Sequence, residues 1–136
     1  MKINIIGQIF DSSGYSSHVK GLSQAVYELN RDTRLDAPKP NNWEILCSDS
    51  ELNMMTKTFS TECSSVAITT PPYWKFAIAD NPKKFYGFCV WEGDLCPTFW
   101  INHMVTDNIN KILVPSQHVK QAIINTVDKL IEEKKE

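Results

Sequence analysis

Residues 2–29, KINIIGQIFDSSGYSSHVKGLSQAVYEL, decide the fold. Lys2 to Ile6 is a short apolar run closed by Gly7 and prolonged by Ile9 and Phe10, the pattern of a strand buried on both faces of a parallel sheet. Asp11-Ser12-Ser13-Gly14-Tyr15-Ser16-Ser17-His18 follows as turn chemistry. From there Val19, Leu22, Ala25, Val26 and Leu29 recur at three- and four-residue spacing, one apolar stripe of a helix. Strand, glycine-serine loop and amphipathic helix together open a βαβ unit.

The rest of the chain repeats that alternation. Asn30 to Asn42 holds charged pairs, two prolines and almost no apolar run, and reads as a loop or edge excursion. Trp43 to Cys47 is a second strand candidate. Ser48 with Glu51 forms a capping box for a short helix carrying Leu52, Met54 and Met55. Val66 to Thr70 is a third strand stopped by Pro71-Pro72. After the aromatic stretch Tyr73 to Ile78 and a turn at Asp80-Asn81-Pro82, Lys84 to Trp91 forms a fourth strand. Pro97 suits the first turn of the next helix, whose stripe is Trp100, Ile101, Met104 and Val105. Lys111 to Val114 is the fifth strand, and Ser116 caps a last helix with Val119, Ala122, Ile123, Val127, Leu130 and Ile131 on one side. The expected fold is a single Rossmann-like α/β domain, a mostly parallel sheet of five strands with helices on both faces.

Size and charge narrow the function classes. A chain of 136 residues buries roughly two thirds of its unfolded surface, enough for one core. The formal charge is −2, so no overall positive field exists to hold a nucleic-acid backbone. The mixed patch Glu132 to Glu136 reads as a solvated helix end. No apolar run approaches the roughly 20 residues of a membrane-spanning helix, and the first residues lack signal-peptide features, which points to the cytoplasm. Cys47, Cys63, Cys89 and Cys96 show no metal-ligand spacing and read as reduced, small hydrophobes. His18, His103 and His118 lie on different elements, so no metal site is expected.

Ligands of open parallel sheets bind beyond the carboxyl ends of the strands. The sequence offers four such ends: Asp11 to His18, Pro71 to Trp74, Trp91 to Pro97 and Pro115 to His118. In the first, Gly14 permits a turn, and the serines and first helical N–H groups suit an anion such as phosphate; the same residues also serve as plain helix caps. Glu92 and Asp94, two residues apart, would point both carboxylates to one side of an extended chain, for hydroxyl recognition or general-base work. A solvated acidic turn explains them too. Trp74, Trp91 and Trp100 suit an apolar wall for a sugar or ring ligand, or ordinary core packing. His18 begins the first helix beside Gly14 and joins the candidates.

Three segments, GQIFDSSGYSSHVKGLSQAV (7–26), KKFYGFCVWEGDLCPTFW (83–100) and ILVPSQHVKQAI (112–123), give the chain a likeness to a known family. A strand ending in W-E, then L-x-P and a tryptophan, then a strand ending in V-P-S before a helix, resembles the N-terminal half of group 1 glycosyltransferases of the two-domain GT-B type. The resemblance implies transfer of a sugar from a nucleotide-sugar donor, a co-substrate rather than a cofactor, to an acceptor hydroxyl, without metal. It implies a glycine loop facing the donor phosphates (Ser13, Gly14, Tyr15, His18), acceptor-side or catalytic groups at a strand end (Glu92, with Trp91 and Asp94), and Ser116 opening the helix after V-P-S. The donor-binding second domain of that family has no counterpart in these residues, so the expected partner is a separate C-terminal half, and the chain is expected to be inactive alone. Two other readings stand beside it: a non-catalytic glycan- or anion-binding regulatory domain, and, more weakly, a flavodoxin-like flavin-binding domain in which residues 12–16 would hold the flavin phosphate.

Overall fold

A computed structural model describes residues 1–58, 63–78, 82–105 and 109–135. Five strands, β1 (Ile3–Ile6), β2 (Thr33–Asp36), β3 (Ser64–Ile68), β4 (Lys84–Phe88) and β5 (Lys111–Leu113), pair in the order β2-β1-β3-β4-β5, all parallel. Five helices accompany them: α1 (Gly14–Leu29), α2 (Asp49–Thr56), α3 (Trp74–Ile78), α4 (Thr98–Val105) and α5 (Gln117–Lys135). The expected single α/β sheet domain is what forms.

Register divides the core in two, because alternate residues of a strand face opposite sides. Ile5, paired with Leu35 and Val66, belongs to a cluster with Ile9, Val19, Tyr27, Met54, Met55 and Ile68 beneath α1 and α2. Ile6, paired with Asp36 and Ala67, joins the other cluster, in which Phe85, Cys89, Trp100, Ile101 and Met104 pack with α4 and α5. Small residues matter on this second face. A Cβ on Gly87 would lie 2.6 Å from the ring of Trp74, so the indole rests directly on the backbone of β4, held there by its Nε1–H donating to the Thr69 carbonyl at 3.0 Å. Among the described residues, Asn4 Oδ1 and Arg34 Nε are buried polar side-chain atoms without a partner.

Several elements differ from what the sequence suggests. The stretch Asn30 to Asn42 contains β2, an edge strand of the sheet: Thr33 and Leu35 are its buried residues, and the half-exposed Arg34 and Asp36 that alternate with them, an ion pair at 3.9 Å, hide the short alternation behind charge. Trp43 to Cys47 is no strand. Residues Trp43–Leu46 form a 3-10 turn entered through Asn42 in the left-handed region (φ 58°), with Ile45 and Leu46 exposed. The buried face of α1 is Ser16, Val19, Ser23 and Tyr27, whereas Leu22, Ala25 and Leu29 face water. Close approach accompanies that rotation: a Cβ on Gly7 would lie 2.6 Å from Val19 Cγ2, so α1 seats Val19 directly on the backbone just beyond β1. β4 stops at Phe88 rather than Trp91, and Val105 of α4 is exposed. The capping box at Ser48 and Glu51 forms as expected, with N–H to oxygen distances of 2.9 and 3.2 Å. The expected turn at Asp80 and Asn81 lies outside the described residues.

Candidate functional site

The first loop is built around a carboxylate. Ser13 caps α1, its hydroxyl accepting the Ser16 N–H at 3.2 Å. Asp11 Oδ1 in turn accepts from the Ser13 N–H at 2.9 Å, from the Ser13 hydroxyl at 2.6 Å and from the Ser16 hydroxyl. Each of these bonds favours the charged form, and the Ser13 hydroxyl, then that of Ser16, hold the Asp11 carboxyl below the usual aspartate range. A carboxylate of the chain itself thus stands beside the N-cap of α1, where the helix dipole favours negative charge.

Tyr15 ties that helix to the end of β4. Its phenol oxygen accepts the Val90 N–H at 3.0 Å and donates to the Val90 carbonyl at 3.3 Å; burial pushes the Tyr15 pKa up. The same pair ends the strand. Cys89 still donates to the Leu113 carbonyl at 3.3 Å, but both backbone groups of Val90 are turned to Tyr15. One turn on, the His18 ring meets Phe88 edge-on at 5.4 Å.

Beyond Val90 the chain bends. Trp91 Nε1 donates to the Leu95 carbonyl at 2.6 Å, and its ring packs edge-to-face on Trp100 at 5.2 Å. Residues 93–95 form a bend, so the extended alternation that would align Glu92 with Asp94 is absent. α5 fixes the two positions separately: His118 Nε2 lies 3.0 Å from the Glu92 carbonyl, and Asn125 donates to the Asp94 carbonyl at 3.3 Å. Underneath, the buried Thr126 hydroxyl accepts the Cys96 N–H at 2.9 Å and donates to the Ala122 carbonyl at 2.7 Å.

Gly14, Tyr15, His18, Val90, Trp91 and Glu92 line a cleft of about 490 Å³, within the roughly 300–1,000 Å³ that small-molecule sites span. The fold thus brings the glycine loop together with the W-E strand end, some 75 residues apart in the Tyr15–Val90 bonds. Trp91 supplies an apolar wall and Glu92, exposed, a carboxylate at the rim. Ser13, Asp94 and Ser116 are not on the lining. Ser13 is committed to the cap and to Asp11, and the Ser116 hydroxyl accepts the Val119 N–H at 3.4 Å as the cap of α5. Trp74 and Trp100 are core residues, 1% and 5% exposed.

Comparison with family models, with curated proteins and with solved structures found no match for the chain. Val90 acts in the site through its backbone, which no side-chain pattern signals, and His118, from the strand end at Pro115 to His118, reaches the Glu92 carbonyl across 26 residues of chain. Among the described residues no group of three or more His, Cys, Asp or Glu side chains is placed to hold a metal, and no helix is long and apolar enough to cross a membrane.

Proposed function

We propose that the chain is the acceptor-binding half of an enzyme that transfers a sugar from a nucleotide-sugar donor to a hydroxyl. The observation that carries this reading is the cleft in which Trp91 and Glu92 meet Gly14, Tyr15 and His18. A pyranose offers C–H bonds to an aromatic wall and hydroxyls to a carboxylate. Trp91 supplies the first and Glu92 the second, and in this reading Glu92 accepts the hydroxyl proton as the nucleophile forms. Asp11 supports the view that this is only half of a site. Its charge at the start of α1 opposes a diphosphate there, so a donor needs most of its phosphate contacts from a separate C-terminal half. Free cysteines, with Cys89 and Cys96 buried, suit the reducing cytoplasm.

The test is nucleotide release from a panel of nucleotide-sugars, with the chain alone and co-purified with donor-binding domains. Expected is no turnover alone and partner-dependent turnover lost in Glu92→Gln. Turnover indifferent to that substitution rejects the role of Glu92. Saccharide binding without turnover in any combination makes the chain a non-catalytic glycan-binding domain instead.

One observation favours a second reading: β2-β1-β3-β4-β5 is also the strand order of flavodoxin-like domains, which hold a flavin phosphate beyond β1. The Ser13 and Ser16 hydroxyls are spent on Asp11 in that loop, which leaves less for a phosphate. A purified chain with no visible flavin absorbance, and no binding of added flavin mononucleotide, removes it.

A further inference from the structure

A second concave site lies on the other face of the sheet, at the carboxyl ends of β1, β2 and β3. Ile6, Asp36, Ala67, Thr69, Tyr73 and Phe76 are among its walls, around a space of about 260 Å³. Its place is not accidental. With the order β2-β1-β3-β4-β5, the chain leaves β1 to one side and returns on the other, so the β1/β3 boundary is where the loops part and a crevice opens.

The lining is chemically specific. Tyr73 and Phe76 are 60% and 65% exposed and lie near-parallel, ring centres 6.4 Å apart at 28°. The core takes nothing from these two rings, because Trp74 between them in sequence is the residue packed on Gly87. Asp36 lines the same space, its carboxylate 42% exposed, a group that only accepts hydrogen bonds. Aromatic faces with a carboxylate suit either a cation or a neutral ring bearing hydroxyls. Local charge decides between these. Arg34 lies 3.9 Å from Asp36, and Lys75 sits 5.3 Å from the centre of the Phe76 ring. Asp36 is the one charged residue of the described lining and opposes an anion, while Arg34 and Lys75, beside Asp36 and Phe76 though off the lining, oppose a cation. A neutral pyranose meets neither penalty: one C–H face lies on the rings, and adjacent hydroxyls donate to Asp36. The volume, below that of a drug-sized pocket, admits one such ring.

We infer that this crevice is a binding site for a single neutral sugar ring, distinct from the Glu92 cleft, with Asp36 as hydroxyl acceptor and Tyr73 and Phe76 as the stacking platform. It stands on its own residues and does not require the transfer reading. The test is saturation-transfer NMR on the intact chain with millimolar methyl glycosides of glucose, galactose, mannose and N-acetylglucosamine, with choline as the cationic probe. Asp36→Asn and Phe76→Ala alter exposed side chains, and their melting curves verify that the fold is kept. Expected is transfer to at least one glycoside together with shifts of the Thr69 and Tyr73 amide signals, these shifts being weakened about tenfold or more in each variant and kept in Glu92→Gln, which removes only sugar bound in the other cleft. Saccharide binding indifferent to both variants overturns the inference; if Glu92→Gln abolishes it, the sugar sits in the other cleft and only the transfer reading survives. Binding of choline in place of the glycosides, lost in the same variants, overturns the choice of ligand. No binding of any glycoside overturns this inference, while the turnover assay decides the transfer reading separately.

Discussion

Asp11 shows how one residue can change the meaning of a loop. A serine-glycine stretch before a helix suggests an anion site, and the structure fills it with the chain's own carboxylate. A carboxyl whose folded pKa is depressed contributes stability that is present above its unfolded pKa and is lost as pH falls through the lower folded value. The melting temperature of the native chain should therefore fall on acidification below about pH 4 more than that of Asp11→Asn, and the two curves should converge. Parallel melting curves at every pH would show that Asp11 contributes nothing. The same substitution should tighten inorganic phosphate binding at the loop, read by chemical shift of the Gly14 amide. Tyr15 makes a second residue-scale prediction. Tyr15→Phe removes both bonds to Val90 and leaves its N–H without a partner, at a cost of about 1–3 kcal/mol in urea unfolding. It should also loosen the wall between α1 and the end of β4, weakening any ligand of the Glu92 cleft.

Elements were legible where their local chemistry agreed with their packing. The Ser48 box, the Ser116 cap, β1 and β3 with its proline stop, and α5 with Val119, Ala122 and Val127 inward, all follow from spacing and capping residues. β2 was not legible, because four residues with two buried positions give too short a period, and their charges look like loop. The rotation of α1 was hidden for another reason: hydrophobicity counts Leu22 and Leu29, whereas the buried face includes the polar Ser16 and Ser23 beside Val19, which packs on Gly7. Gly87 belongs to this scale. A methyl group there enters the space of the Trp74 ring, so Gly87→Ala should destabilise the domain by about 1–3 kcal/mol, measured by denaturant unfolding. It should also displace Trp74, and with it Tyr73, so that any sugar bound at Asp36 and Phe76 is weakened while the Glu92 cleft is spared.

At the scale of the molecule, the parallel sheet lines up strand ends that lie far apart in the chain, and the described residues form a crevice on either face of its carboxyl edge. The thiols report on the integrity of that assembly. Burial pushes Cys89 up to about 12, and Cys96 is buried beside Thr126. A thiol reagent at neutral pH should leave both unmodified in the folded chain and reach the partly exposed Cys47 and Cys63 first, as peptide mapping after alkylation would reveal; early labelling of Cys89 would contradict the packing. Composition, periodicity and capping residues determined by themselves that the chain makes one parallel α/β sheet, and that Gly14, Trp91 and Glu92 sit at strand ends, since these are local properties of backbone and side-chain spacing. Which strand ends meet, that Tyr15 rather than a ligand takes the backbone of Val90, that Asp11 binds the cap residue of α1, and that Asp36 shares a crevice with Tyr73 and Phe76, were decided only by the tertiary structure. Those contacts depend on strand order and on close approach across the sheet, and no local pattern of residues encodes either.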